Sequence, residues 1–254
     1  MAVSTFVMRS PRILLIFLAV IFAYPADAAN LAATLTADGF DLPVGKPNGE
    51  GYYRSRGYRA NGHLGEDWNG KGGGDSDLGD PVYSIAHGVV VFAQNFGHGW
   101  GNVVIVRHAY EEGGRKKFAD SLYGHLDRIL VRDGQQLRRG QQLGTIGTAG
   151  GLYEAHLHLE IRKDIRVGMA RHRFPKDDTV YFSPVDFIHA HRQMKPSVSI
   201  ASVPMNTFVE FDAPLGDQSA DYGFQLPGRT GRLKNPAGWK PDRFEDLRKS
   251  GMPR

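Results

Sequence analysis

His156-Leu157-His158-Leu159-Glu160-Ile161-Arg162 alternates polar and apolar side chains without a break. Period-two alternation is the signature of a half-buried strand, whose successive side chains project to opposite faces. Leu157 and Leu159 therefore face a core, while His156 and His158 share the other face. Just upstream, Gly134-Gln135-Gln136-Leu137 recurs as Gly140-Gln141-Gln142-Leu143, followed by Gly144-Thr145-Ile146-Gly147. This echo reads as two tight turns around short strands, since a solenoid needs several repeats. Further strands are predicted at Pro81-Val82-Tyr83-Ser84, Gly88-Val89-Val90-Val91-Phe92-Ala93, Asn102 to His108 and Ser121 to Leu126. Glycine turns such as Gly97-His98-Gly99-Trp100-Gly101 and Glu111-Glu112-Gly113-Gly114 separate them and imply antiparallel hairpins. With 32 glycines and 14 prolines, the chain reads as all-β, a compact antiparallel β-sheet core. One short helix is predicted over Ser183 to Ala190, with Ser183 as cap and Pro184 at the first helical position.

The two ends read differently from the middle. Arg9 and Arg12 precede an apolar run from Ile13 to Tyr24, too short for a spanning helix, and Ala26-Asp27-Ala28 suits a cleavage site. Residues 1–28 are read as a signal peptide, so the mature chain is expected to be exported, periplasmic or extracellular, without stable membrane insertion. Residues 29–50 form a lead-in with one strand, 51–192 the main domain, and 193–254 an irregular C-terminal extension. No cysteine is present, which excludes disulfides, thiolate metal sites and a lipidated N-terminal cysteine. A formal net charge of +4 is too small and scattered to point to nucleic acid.

The chemistry-bearing residues lie far apart along the chain. Two imidazoles on one strand face can address one centre, although such a pair is packed structurally about as often as it binds metal. His63-Leu64-Gly65-Glu66-Asp67 adds an imidazole and a carboxylate four apart, and the surrounding glycines favour a bent extended segment over a helix. Two histidines with one carboxylate suit Zn2+ and leave the fourth tetrahedral position to water, as a catalytic site requires. His125, in Tyr123-Gly124-His125-Leu126, reads by itself as a strand-end histidine.

Taken together, in this order and on this β background, residues of about 45–190 resemble the lysostaphin-type zinc endopeptidases, which cleave peptidoglycan peptides. The resemblance is carried by His63 and Asp67, Gly79-Asp80-Pro81-Val82-Tyr83, Gly99-Trp100-Gly101-Asn102-Val103-Val104, Tyr123-Gly124-His125-Leu126, Gly140 to Gly144 and His156-Leu157-His158-Leu159-Glu160. It implies a lysostaphin-type, barrel-sandwich-like core. It also implies zinc ligands His63, Asp67 and His158, with His125 and His156 facing a zinc-bound water as catalytic residues. Glu160 is a candidate acceptor for the second nitrogen of His158. The expected activity is an exported zinc metalloendopeptidase acting on peptidoglycan peptides. The alternative is a catalytically silent wall-binding or hydrolase-regulating relative, and a lipoyl-type or phosphotransfer carrier ranks last. Two departures from the family bear on substrate preference: Trp68 after Asp67, and the loop Gly72-Gly73-Gly74-Asp75-Ser76-Asp77, read as a solvated turn. His87, His98, His108, His172, His189 and His191 are assigned to surface or satisfied core positions.

Overall fold

The computed structural model describes residues 1, 30–97, 99–194 and 199–211. The signal-peptide reading, His98 and the extension beyond residue 211 lie outside them. The strands are β1 (Leu31–Leu35), β2 (Tyr52–Arg56), β3 (Glu66–Gly70), β4 (Pro81–Tyr83), β5 (Gly88–Gly97), β6 (Gly101–Glu112), β7 (Arg115–Ile129), β8 (Gln136–Leu137), β9 (Gln142–Ile146), β10 (Leu157–Arg162), β11 (Tyr181–Phe182) and β12 (Ile200–Pro204). The α-helix α1 (Pro184–Ala190) follows β11. The lead-in and the start of the main domain thus hold two strands.

The main sheet runs β2-β3-β10-β7-β6-β5-β8 and does not close on itself. All its pairings are antiparallel. The longest hairpin, β6 to β7, turns through Gly113 and Gly114, both at positive φ, as a two-residue turn matched to strand twist demands. Val104 and Val106 of β6 enter the main core, while Val103 and Ile105 enter a second cluster with Trp100 and Leu122. Burial on both faces explains why this stretch is an unbroken apolar run.

β7 is shared between partners. One edge pairs with β6 throughout, while the other pairs with β10 over residues 120–124 and with β9 over 126–129. The exchange falls on His125.

The end of the chain that is described folds back onto the domain. β12 pairs with β1, and Ala201 and Val203 pack against Val89 and Ala109. Arg107, fully buried, donates to both oxygens of its cross-strand partner Asp120 at 2.7 Å and to the carbonyls of Ile165 and Pro204. At α1, Pro184 takes the first turn as expected, but Ser183 makes no side-chain capping hydrogen bond. The helix is held instead by burying Val185, Phe187 and Ile188.

Candidate metal centre and its groove

Asp67 and His158 are direct cross-strand partners on β3 and β10, and His158 lies opposite Gly124 of β7 on its other side. The same alternation sends Trp68, Leu157 and Leu159 into the core. His63 precedes β3 in an extended segment, and Gly65 lets that segment lie against β10: a β-carbon there would sit 2.8 Å from the His158 ring. The result is a compact set of donors. His158 Nδ1 is 2.8 Å from Asp67 Oδ1, His63 Nε2 is 3.1 Å from the same oxygen, and the two nitrogens are 3.2 Å apart. Among the described residues, these three form the one group of histidine and carboxylate side chains with ligand atoms within 4.8 Å of one another.

The outer nitrogens decide what these atoms are. His63 Nδ1 donates to the Gly57 carbonyl at 3.1 Å, and His158 Nε2 donates to Glu160 Oε1 at 3.2 Å. Each ring thereby spends its proton on its far side, leaving a lone pair directed inward. Three acceptor atoms, two nitrogens and one carboxylate oxygen, converge with no donor among them. Such a cluster is stabilised by a cation, and its two imidazoles and one carboxylate suit a borderline ion such as zinc.

Glu160 is itself anchored. Its Oε1 also accepts from Arg171 at 3.1 Å, and its Oε2 accepts from Arg162 Nε at 2.7 Å. Burial opposes its charge, but Arg162 and Arg171 outweigh burial and hold its carboxyl far below the usual range. Asp67 is also held well below it: burial acts the other way and is overcome by the neighbouring His63 and His158 rings. Burial likewise opposes charge on His158, yet the flanking carboxylates of Asp67 and Glu160 outweigh it and hold its pKa above the ordinary histidine value. His63 is lowered, chiefly by burial.

His125 and His156 stand beside this cluster. Their rings are 4.8 Å apart, His125 is 5.5 Å from the His158 ring, and His156 Nε2 lies 3.9 Å from Asp67 Oδ1. His156 Nδ1 donates to the Glu154 carbonyl at 2.8 Å and His125 Nδ1 to the Trp100 carbonyl at 3.3 Å, so both keep Nε2 as the basic atom. His125 has φ +62° and sits where the β6–β7 register shifts between Asn102 and Val104. A bulge there turns its side chain out of the regular pleat, a use of backbone strain common beside active sites. Burial, reinforced by His156 and His158, holds its pKa well below the ordinary histidine value.

The structure thus brings all five anticipated side chains together. Two aromatics stand beside them: Trp100, from a motif that carries the resemblance, and Tyr153, which sequence reading missed. Trp100 lies 5.6 Å from the His158 ring, and the Arg171 guanidinium is 5.1 Å from its indole. Tyr153 lies 4.9 Å from His125 and 5.7 Å from His156. Tyr153 has no local pattern that announces it, whereas the glycines around Trp100 mark a hairpin. Trp68 is fully buried in the main core and does not line the groove. The acidic loop is not simply solvated: buried Asp77 accepts from the Gly70 amide at 2.7 Å, and Asp75 accepts from the Ala155 amide at 2.8 Å, immediately before His156. His108 is a satisfied core residue, donating to the His87 carbonyl at 2.9 Å and meeting Ser121 Oγ at 2.7 Å.

A candidate three-donor metal site thus stands on an antiparallel β scaffold, flanked by two further histidines. Residues 62–170 match Peptidase family M23. The chain is 36% identical over 84 residues to lipoprotein NlpD of Yersinia enterocolitica, covering 33% of this chain and 78% of the relative. It is 38% identical over 84 residues to peptidoglycan DD-endopeptidase ShyA of Vibrio cholerae, covering 33% of this chain and 18% of the relative. It is 36% identical over 84 residues to murein hydrolase activator NlpD of Escherichia coli, covering 33% of this chain and 20% of the relative. The chain belongs to peptidase family M23. It spans only about a fifth of the length of the Vibrio and Escherichia relatives.

Proposed function

We propose that the chain is an exported zinc metalloendopeptidase that hydrolyses peptide bonds of peptidoglycan. The observation that carries this reading is the convergence of three acceptor atoms whose rings are oriented from behind by Gly57 and Glu160. His63 Nε2, Asp67 Oδ1 and His158 Nδ1 are the zinc ligands in this reading. When bound, zinc supplies Lewis acidity and lowers the pKa of a coordinated water toward about 7. His125 and His156 act on protons: with both Nδ1 atoms committed to carbonyls, either Nε2 can take a proton from the attacking water, and the other can serve the oxyanion or the leaving amine. Trp100 and Tyr153 flank these histidines. The peptidase domain is placed at residues 51–192, preceded by a signal peptide over 1–28 and the lead-in over 29–50. The extension from 193 contributes β12 to its packing.

A second reading, a silent relative that regulates another hydrolase, is favoured by the name of the Escherichia relative, a murein hydrolase activator. The complete donor set favours the enzyme. Elemental analysis of the mature protein and digestion of purified wall fragments, with and without chelator, separate the two. New peptide fragments, lost with chelator and in His63→Ala, support the enzyme. Absence of zinc and of fragments, with stimulation of an added wall hydrolase, supports the regulator.

A further inference from the structure

Arg56 ends β2, and an irregularity between Arg54 and Arg56 sets it opposite Asp67 across the β2–β3 ladder. Cross-strand partners share a face, so Arg56 rises from the side of the sheet that carries the donor cluster. Ser55, the extra residue at that irregularity, turns its hydroxyl to the Asp67 carbonyl at 3.1 Å and so pins the local register. Arg54 is committed to buried Glu66 at 3.1 Å. Arg56 is exposed, and among the described residues it has no carboxylate within ion-pair distance. Its charge also reaches Tyr153, where it partly offsets the rise that burial and Asp67 impose. Tyr153 stands beside His125 and His156, so the guanidinium is within electrostatic reach of that side of the site.

With another cation bound at those donors, a free cation beside it is repelled until an anion lies between the two. Guanidinium has the planar fork that matches a carboxylate, and carboxylates are the anions a peptide carries. We propose that Arg56 is a specificity-determining residue that binds a carboxylate of the peptide substrate near the bond to be cut, selecting anionic over neutral peptides. This deepens the peptidase reading and rests on it for the cleavage step.

The test uses two pairs of crosslinked wall peptides, each pair differing only in whether the carboxylate nearest the crosslink is free or amidated. One pair is cleavable and reads kcat/KM; the other has an N-methylated crosslink amide and reads Kd without turnover. The zinc-loaded wild type is expected to favour the free carboxylate about tenfold or more in both readouts. Arg56→Gln is expected to lose that preference with zinc content and the rate on the amidated peptide nearly unchanged, and Arg56→Lys to recover part of it. An undiminished preference in Arg56→Gln, or none in the wild type, overturns the proposal. Arg56-dependent binding of the free-carboxylate analogue without cleavage of either substrate would overturn the peptidase reading and leave the carboxylate site standing.

Discussion

Gly65 and His158 touch so closely that a β-carbon at residue 65 would lie 2.8 Å from the imidazole and 2.4 Å from the Leu159 carbonyl. Neither neighbour can yield, because the carbonyl belongs to β10 and the ring is held from both sides by Asp67 and Glu160. Gly65→Ala is expected to cost about 2 kcal/mol of stability through overpacking and to weaken zinc binding roughly tenfold or more by tilting the ring. Thermal unfolding and competition with a zinc chelator measure the two effects. Unchanged zinc affinity would show that His158 does not need that orientation.

Glu160 joins one imidazole to two buried guanidinium groups. Replacing it with glutamine removes the charge that balances Arg162 and Arg171, and breaking such a buried network costs about 3–5 kcal/mol. Glu160→Gln is also expected to weaken zinc affinity roughly 10- to 100-fold, since the outer partner of a ligand imidazole sets its basicity. Chelator competition at a temperature where the variant remains folded separates the second effect from the first.

Asp75 holds the Ala155 amide while Asn69 holds the Ala155 carbonyl at 3.0 Å, so the backbone of this residue is gripped at both its polar groups just before His156. Asp75→Ala is expected to lower kcat roughly 10- to 100-fold while zinc content and KM stay near wild type. A change confined to KM would assign the loop to substrate binding instead.

His108 lies on β6, outside the donor cluster, and burial pushes its pKa down to about 4 from the usual 6.5. The folded state therefore binds fewer protons there than the unfolded state between those values. Its contribution is fully present above about pH 6.5 and is lost as pH falls toward 4, by about 3 kcal/mol in all. Urea unfolding between pH 4 and 7 should show this slope, and His108→Asn should flatten it. An equal slope in both proteins would assign it to other groups.

Much of the centre was legible because it depends on local alternation. A strand that reads His-Leu-His-Leu-Glu must send Leu157 and Leu159 one way and His156, His158 and Glu160 the other, and it does. The extended course from His63 to Asp67 followed from glycine for the same reason. What escaped was set by register. Arg56 meets Asp67 only through an irregularity in β2, and His125, anticipated from the resemblance, owes its aim to a strand that exchanges one neighbour for another beneath it. Asp75 reaches Ala155 across 80 positions of sequence, a pairing that no local pattern encodes. The acidic loop was read as solvated because charge near glycine is usually exposed, and Asp77 departs from that by capping the Gly70 amide in a buried corner.

The pairing of Leu31 with Pro204, closed by a hydrogen bond from the Met205 amide to the Asn30 carbonyl at 2.7 Å, brings the first and last strands of the folded unit side by side. Evolution or an engineer can therefore splice the whole unit into a loop of a larger host, or join its ends and reopen it elsewhere, with little rearrangement of the groove.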